Sequence, residues 1–333
     1  MPHVSLLAAP NCSVSTIAGP VDTFTIANIG HSHLGPGGRD DGPLFEWDIV
    51  TVDGKPVQGS GGMTVHPDCG VEDVPATDLI LIPGFIPPFD FVGGLEPGIS
   101  GWLRARYAED VIIASTCTGT FLLAETGLLD GKTATTNWMF ADQFRKLYPA
   151  VSLNPSQMLT VNQNLICSGA TTAFVDLCLY LIETFGSQRL AAFCSKAMLM
   201  ESRRSTQSPY FIFHSQKDHA DTQILAVQNY MEAHFSTPIS LEKLASDFGF
   251  SPRHFKRRFK KATGDTPLTY LQRLRVEEAR CRLETTVDTF NEITWQVGYE
   301  NVNSFRKLFK KHTGVTPKEY QDRFNRVKDR QKQ

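Results

Sequence analysis

The chain has 333 residues, of which 41% are apolar, length enough for two or three domains with cores of their own. Its net charge of −2 hides an asymmetry: residues 1–215 carry 11 Lys and Arg against 20 Asp and Glu (net −9), and residues 216–333 carry 22 against 15 (net +7), so only the second half is expected to meet nucleic acid. Seven scattered cysteines (12, 69, 117, 167, 178, 194, 281) without a CxxC pair exclude a disulfide framework and a thiolate zinc site, and no run is long and apolar enough to span a bilayer.

A soluble, cytoplasmic protein is therefore expected, with no membrane partner, and the N-terminus reads as lacking a charged leader. The first half alternates strand and helix signals. Val4–Ala9 reads as a buried strand, Ile17–Ile29 as an amphipathic helix, and the glycine-rich run Gly30–Gly42 as a loop. Phe45–Val52 and the wholly apolar Leu79–Ile82 read as strands, Ile99–Tyr107 as a helix, Val111–Ala114 as a second apolar strand, and Gly119–Glu125 as the start of a helix. Short, fully apolar strands between helices predict a parallel sheet covered on both faces, with ligands at the carboxyl ends of its strands.

One such end is Ser115-Thr116-Cys117-Thr118-Gly119, a strand-to-helix loop in the setting of a nucleophile elbow. Around it stand Phe121-Leu122-Leu123-Ala124, Gly127 to Lys132, Ala134-Thr135-Thr136-Asn137-Trp138, Pro83-Gly84 and Ala18-Gly19-Pro20, followed by Cys167-Ser168-Gly169-Ala170, Asp176-Leu177 and Arg203-Arg204. In order and spacing these resemble the ThiJ/PfpI branch of the glutamine-amidotransferase-like superfamily, over roughly residues 4–205. The resemblance implies a doubly wound, flavodoxin-like α/β domain. Two positions depart from the enzymes of that family. Asn137 stands where they place a histidine, and Thr16 where many carry an acidic residue. An amide cannot relay a thiol proton at neutral pH. Cys117 is therefore expected to floor a pocket without acting as a nucleophile, and no catalytic residue is assigned. Gly84, Phe85, Cys117, Thr118, Asn137 and Trp138 are the expected ligand-binding residues, with Phe89 beside them. The backbone N–H groups of Gly84, Phe85 and Thr118 are expected to hold a carboxylate or carbonyl oxygen. His3, His31, His33 and His66 lack metal-ligand spacing, and neither a metal nor a cofactor is assigned.

Residues 206–221 are polar and aperiodic and read as a linker. Beyond them the chain repeats itself. Leu244-Ala245, Phe248-Gly249-Phe250, Phe255, Phe259-Lys260-Lys261, Thr263-Gly264, Thr266-Pro267 and Tyr270 recur as Ile293-Thr294, Val297-Gly298-Tyr299, Phe305, Phe309-Lys310-Lys311, Thr313-Gly314, Thr316-Pro317 and Tyr320. The offset is 50 from Phe255 onward (305 − 255) and 49 at the glycine (298 − 249), so the second copy holds one more residue in its turn. Each copy reads as helix, glycine turn, helix. Ser240 is a candidate cap for the first helix, and Ser251-Pro252 restarts the chain as the second. In that second helix Phe255, Phe259 and Ala262 form an inner stripe, while Arg253, Lys256, Arg257 and Lys260 form an outer one. In the other copy the outer face is Asn303, Arg306, Lys307 and Lys310.

A basic and amide-bearing helix after a tight turn suits the major groove, where Arg and Lys pair guanine and Asn pairs adenine. Residues 222–324 resemble the AraC-type DNA-binding domain, two helix-turn-helix units joined by a long helix, here Pro267–Leu283. The expected DNA contacts are Arg253, Lys256, Arg257, Asn301, Asn303, Ser304, Arg306 and Lys307, with Asn301, Arg306 and Lys310 toward phosphates. The organisation expected is an α/β sensor domain over 1–205, a linker over 206–221 and an all-α domain with two helix-turn-helix units over 222–333. The functional expectation is a transcriptional regulator that binds double-stranded operator DNA and a small-molecule effector and forms a homodimer through its first domain, with RNA polymerase as a further partner. The rival is a cysteine-dependent amidase or hydratase fused to a DNA-binding module. A third reading makes the first domain a dimerisation scaffold.

Overall fold

Leu79–Ile82 and Ile112–Thr116, two of the most apolar short runs, lie side by side near the middle of a sheet in this computed structural model, which describes residues 1–34, 42–94, 96–200 and 204–325. The chain divides into two units, Met1–Gln207 and Ser208–Gln333.

In the first unit, seven strands among the described residues run in the order Leu159–Asn162, Leu165–Ser168, Ile112–Thr116, Leu79–Ile82, His3–Leu7, Glu46–Thr51, Cys69–Gly70. All adjacent pairs are parallel except the first two strands, which form an antiparallel edge. Every residue of Leu79–Ile82 is buried, as a strand covered on both faces requires. The strand expected to stop at Ala114 continues to Thr116, because Ser115 and Thr116 pair with Cys167 and Ser168 of the neighbouring strand. Cys117 thus follows the strand directly.

The first helix, Ser15–Leu34, overruns its expected end at Ile29 and takes in Gly30, which had been read as the start of a loop. Gly30 is a packing residue: a Cβ there would lie 2.5 Å from the ring of Phe193 and 2.8 Å from Leu190 of the Gln188–Ala197 helix. Of the expected loop, residues 35–41 lie outside the described residues, as does Arg203. Helices Ser15–Leu34, Phe174–Phe185 and Gln188–Ala197 pack on one another.

The expected linker is divided between the two units. Gln207 is 2% exposed and anchors in the first unit: its Oε1 accepts the Ala170 N–H (2.8 Å), and its Nε2 lies 3.0–3.2 Å from Thr136 O, Pro155 O, Gln157 O and Thr135 Oγ1. Gly169 is needed there, because a Cβ would overlap the Gln207 amide. Pro209 and Phe211 offer their carbonyls to Arg280 of the second unit, and Phe213 N–H donates to Glu277. Polar composition marked the segment as exposed, yet its amide and its carbonyls are what the buried partners use.

The second unit is helical: Thr222–His234, Leu241–Asp247, Pro252–Thr263, Pro267–Thr285, Phe290–Gln296, Val302–Thr313 and Pro317–Phe324. It has two apolar cores. One gathers Ile224, Val227, Met231, Leu244, Phe255, Phe259, Tyr270 and Leu271; the other gathers Val276, Ala279, Leu283, Ile293, Val297, Phe305, Phe309 and Tyr320. The Pro267–Thr285 helix supplies both, its first half to one and its second half to the other. Each buried phenylalanine contributes roughly 1.5–3 kcal/mol, so two such rings per copy fix the second helix of each unit on its core.

Candidate functional site

The elbow residue Cys117 has φ 57°, the left-handed region that costs a non-glycine residue about 1–3 kcal/mol. Its surroundings hold it there. The Cys117 N–H donates to Ser168 O (3.1 Å), and Thr136 Oγ1 donates to Cys117 O (2.7 Å). The Gly119 that follows meets the Pro83 carbonyl so closely that no Cβ fits. This strained, pinned turn is nucleophile-elbow geometry.

The neighbours of the sulfur do not complete a nucleophile. Asn137 Nδ2 donates to Cys117 Sγ at 3.5 Å, and Thr171 Oγ1 lies 3.8 Å from it. The amide orientation follows from its other bond, since Asn137 Oδ1 accepts the Met139 N–H (3.1 Å) as the cap of the Trp138–Phe140 turn. Neither an amide nor a threonine hydroxyl accepts a proton at neutral pH.

The expected oxyanion-type donors fare differently from the reading of the sequence. The Gly84 N–H donates to Thr16 Oγ1 (2.9 Å), and the Phe85 N–H donates to Thr118 Oγ1 (2.6 Å). Both are therefore consumed internally. Thr16, 2% exposed, also donates its hydroxyl proton to Ser13 O (2.7 Å), so this side chain is a structural bracket for the Pro83-Gly84 turn. Phe85, Cys117 and Thr118 are buried, at 4%, 5% and 1% exposure, whereas Asn137 and Trp138 are half-buried. Phe89 belongs to an aromatic cluster, with ring centroids 4.9 Å from Phe121, 5.4 Å from Phe140 and 6.0 Å from Phe91, and is part of the packing under the turn.

In the second unit the glycine turns are as expected. Gly249 has φ 75° and Gly298 φ 81°, and the loops between helices span 248–251 and 297–301, so the extra residue does sit in the second turn. Ser240 caps its helix, accepting the Lys243 N–H (3.3 Å). In the Pro252–Thr263 helix Phe255, Phe259 and Thr263 are buried, while Arg253, Lys256, Arg257 and Lys260 are all exposed. In the Val302–Thr313 helix Phe305, Phe309 and Thr313 are buried, and Asn303, Ser304, Arg306, Lys307 and Lys310 are exposed. Each copy therefore presents one unobstructed basic or amide stripe.

Two details escaped the sequence. Asn301 is the N-cap of its helix, its Oδ1 accepting the Ser304 N–H (2.8 Å), whereas Ser251 makes no such side-chain bond. Arg306 Nη1 donates to Asn303 Oδ1 (3.1 Å) while its guanidinium lies 5.8 Å from the Phe290 ring. A third residue, Arg258, is on the same helix as Arg257 yet is held away from the outer stripe: its Nε and Nη2 grip Asp221 at 2.6 and 2.9 Å. This pair holds the Asp221 carboxyl below the usual carboxylate range. Only the hydrophobic period separated Arg258 from its neighbours in the sequence, since Leu308 occupies the matching position in the other copy.

Comparisons with known proteins agree with both halves. The DJ-1/PfpI family matches residues 44–184, and a helix-turn-helix domain model matches residues 244–323. The HTH-type transcriptional regulator CdhR of Pseudomonas aeruginosa is 27% identical over 302 residues, 90% of this chain and 86% of that protein. The isonitrile hydratase of Pseudomonas putida is 33% identical over 144 residues, 42% of this chain and 60% of that enzyme. Among solved structures, an AraC family transcriptional regulator from Pseudomonas putida superposes with a TM-score of 0.50 at 15% identity, over 60% of this chain and all of that one, which speaks for the α/β fold. The chain thus joins a DJ-1/PfpI-family domain to an AraC-type helix-turn-helix domain.

Proposed function

We propose that this protein is a cytoplasmic transcriptional regulator that reads operator DNA with the Pro252–Thr263 and Val302–Thr313 helices, under the control of a small metabolite bound by its first unit. The observation that carries the reading is the duplication of one design: two buried phenylalanines beneath, an exposed basic or amide stripe above, both after a glycine turn. In this reading Arg253, Lys256, Arg257, Asn303, Ser304 and Lys307 meet base edges. Asn301, Arg306 and Lys310 meet phosphates. The first unit dimerises, and dimerisation pairs two such double readers on one duplex. RNA polymerase is the further partner in this scheme.

The effector, on this reading, lies over Cys117, Thr118, Asn137 and Trp138 and undergoes no reaction. Support comes from the partners of the Cys117 sulfur, an amide and a hydroxyl, neither of which can take its proton. Cys117→Ser should accordingly leave effector-dependent DNA binding within about twofold of the original, since it removes no charge and little volume. The direct test is a titration of the full chain against the DNA upstream of its own coding region and against scrambled duplex, over a range of salt. Equal affinity for both duplexes, or a turnover that disappears only in Cys117→Ser, sinks the reading.

A further inference from the structure

The segment that leaves the first unit is tied to the loops beside the elbow. Gln207, 2% exposed, accepts the Ala170 N–H (2.8 Å) through Oε1 and donates through Nε2 to the Thr136 carbonyl (3.0 Å). Each of these partners is one residue from a neighbour of the Cys117 sulfur, Thr171 Oγ1 at 3.8 Å or Asn137 Nδ2 at 3.5 Å. Arg204 holds the same 170–172 turn, donating to Thr172 O (2.7 Å) and to Asp176 Oδ2 (2.6 Å). The backbone between them is fixed as well: Ser205 O accepts the Met158 N–H (3.3 Å), and the Gln207 N–H donates to Ser156 O (2.8 Å).

Past Gln207 the chain is gripped by the second unit. Arg280, 6% exposed on the joining helix Pro267–Thr285, commits all of its guanidinium nitrogens: Nη2 to Pro209 O (2.8 Å), Nη1 to Phe211 O, and Nε to Tyr320 Oη (2.9 Å). Two rings add to the grip, Tyr210 on Phe324 (centroids 5.4 Å apart) and Phe213 on Tyr270 (5.5 Å). Phe324 packs on the core that carries the Val302–Thr313 helix, and Tyr270 lies in the core that carries Pro252–Thr263. Only Ser208 stands between Gln207 and Pro209, and each residue of chain spans at most about 3.6 Å. Pro209 has its φ fixed by its own ring. Little slack therefore separates the two anchors.

We propose that residues 204–213 are a coupling strap, with Gln207 and Arg280 as its positioning residues. Displacement of the 170–172 and 136–137 loops, as by a ligand over Cys117, passes along the strap to the joining helix on which both outer helices depend. The route is a contiguous run of hydrogen bonds and packed rings, the kind of path that carries coupling energy. The coupling is a property of the chain and needs no ligand; its use by an effector rests on the function proposed above. Coupling is reciprocal, so a change at either end is felt at the other.

The test is amide exchange in the full chain, read at Ala170, whose N–H ends on Gln207, and at Phe213, whose N–H donates to Glu277 (3.2 Å). Arg280→Lys keeps the charge and loses the fork that serves two carbonyls. It should speed exchange at Ala170 by about three- to tenfold, the worth of one hydrogen bond. Gln207→Ala should speed exchange at Phe213 by a similar factor, and this arm decides if Arg280→Lys unfolds the second unit. Inserting Gly-Ser-Gly between Gln207 and Ser208 leaves the bonds of both anchors available and gives the strap slack. In that chain neither substitution should reach the far end. A structural role confined to one unit would leave the distant amide at its original rate. An unmoved amide in either variant, or effects that survive the insertion, overturns the proposal. No DNA or effector enters these measurements, so their outcome is separate from that of the operator titration.

Discussion

The two helix-turn-helix copies share a plan and differ in how they are held. Both end the outer helix with a left-handed glycine, Gly264 (φ 80°) or Gly314 (φ 76°), and cap the next with a threonine before proline, Thr266 or Thr316. Both bury a tyrosine whose hydroxyl donates to a glutamate, Tyr270 to Glu232 and Tyr320 to Glu284. The difference lies at the turns. The first turn is open: a Cβ on Gly249 would meet nothing within 4 Å. The second is wedged: a Cβ on Gly298 would lie 2.5 Å from the Ser236 carbonyl and 3.1 Å from Arg275 Nη2.

Arg275 explains the wedge. It is 8% exposed, donates to Phe235 O (2.7 Å) and Thr237 O (2.9 Å), and lies 5.1 Å from the Tyr299 ring. The loop that leads into the first copy is thereby clamped against the turn of the second. The repeat is not two independent readers on a rod, since one buried arginine on the joining helix sets their mutual geometry.

The largest effect expected from this comparison is at the glycines. Gly249→Ala should cost about 1 kcal/mol, the price of a positive φ alone. Gly298→Ala adds a steric clash with backbone and should cost roughly 3 kcal/mol or more. Urea denaturation of the full chain, followed at Trp295 in the second copy, measures both. Equal losses would show that the wedge carries no energy.

Next come the outer stripes. Arg257→Ala and Asn303→Ala should each cost about 1–3 kcal/mol on operator and little on random duplex. Lys310→Ala should weaken both alike and flatten the salt dependence by roughly one unit. The clamp sharpens this: Arg275→Ala should loosen the spacing between half-sites that lie about one turn apart. Binding of operators with one base pair inserted between half-sites reads that change, and an unaltered spacing preference would free the two copies from each other.

The repeat, the glycine turns and the apolar strands were legible because each rests on local chemistry: period, φ and burial. What was not legible required knowing which backbone groups lack partners. Arg275 and Arg280 sit among the charges of a helix whose outer faces are polar, and nothing local marks them as buried. Each is explained by carbonyls distant in sequence, those of Phe235 and Thr237 or of Pro209 and Phe211. Gln207 was read as linker for the same reason. At the elbow, the residue types were legible and their hydrogen bonds were not: Thr16 and Thr118 look like ordinary core threonines, yet they occupy the Gly84 and Phe85 donors expected to meet a ligand.

The smallest expected effect separates the two cores by pH. His312 in the second copy corresponds to Ala262 in the first. Its Nε2 is buried without a hydrogen-bond partner among the described residues, and burial, with Arg273 and Lys311 nearby, depresses its pKa to about 4 from an ordinary 6.5. The native state refuses a proton that the unfolded chain accepts. The contribution is therefore whole above pH 6.5 and is lost progressively as pH falls toward 4. At pH 5 the loss is on the order of 1 kcal/mol, discounted for the ring's partial contact with solvent. Amide exchange, corrected for its intrinsic pH dependence, should show protection at Phe305 and Phe309 falling between pH 7 and pH 5 relative to Phe255 and Phe259. In His312→Ala, which copies the first unit, the two cores should respond to acid alike. If the difference persists in that variant, the acid sensitivity of the second core has another source and His312 is a spectator.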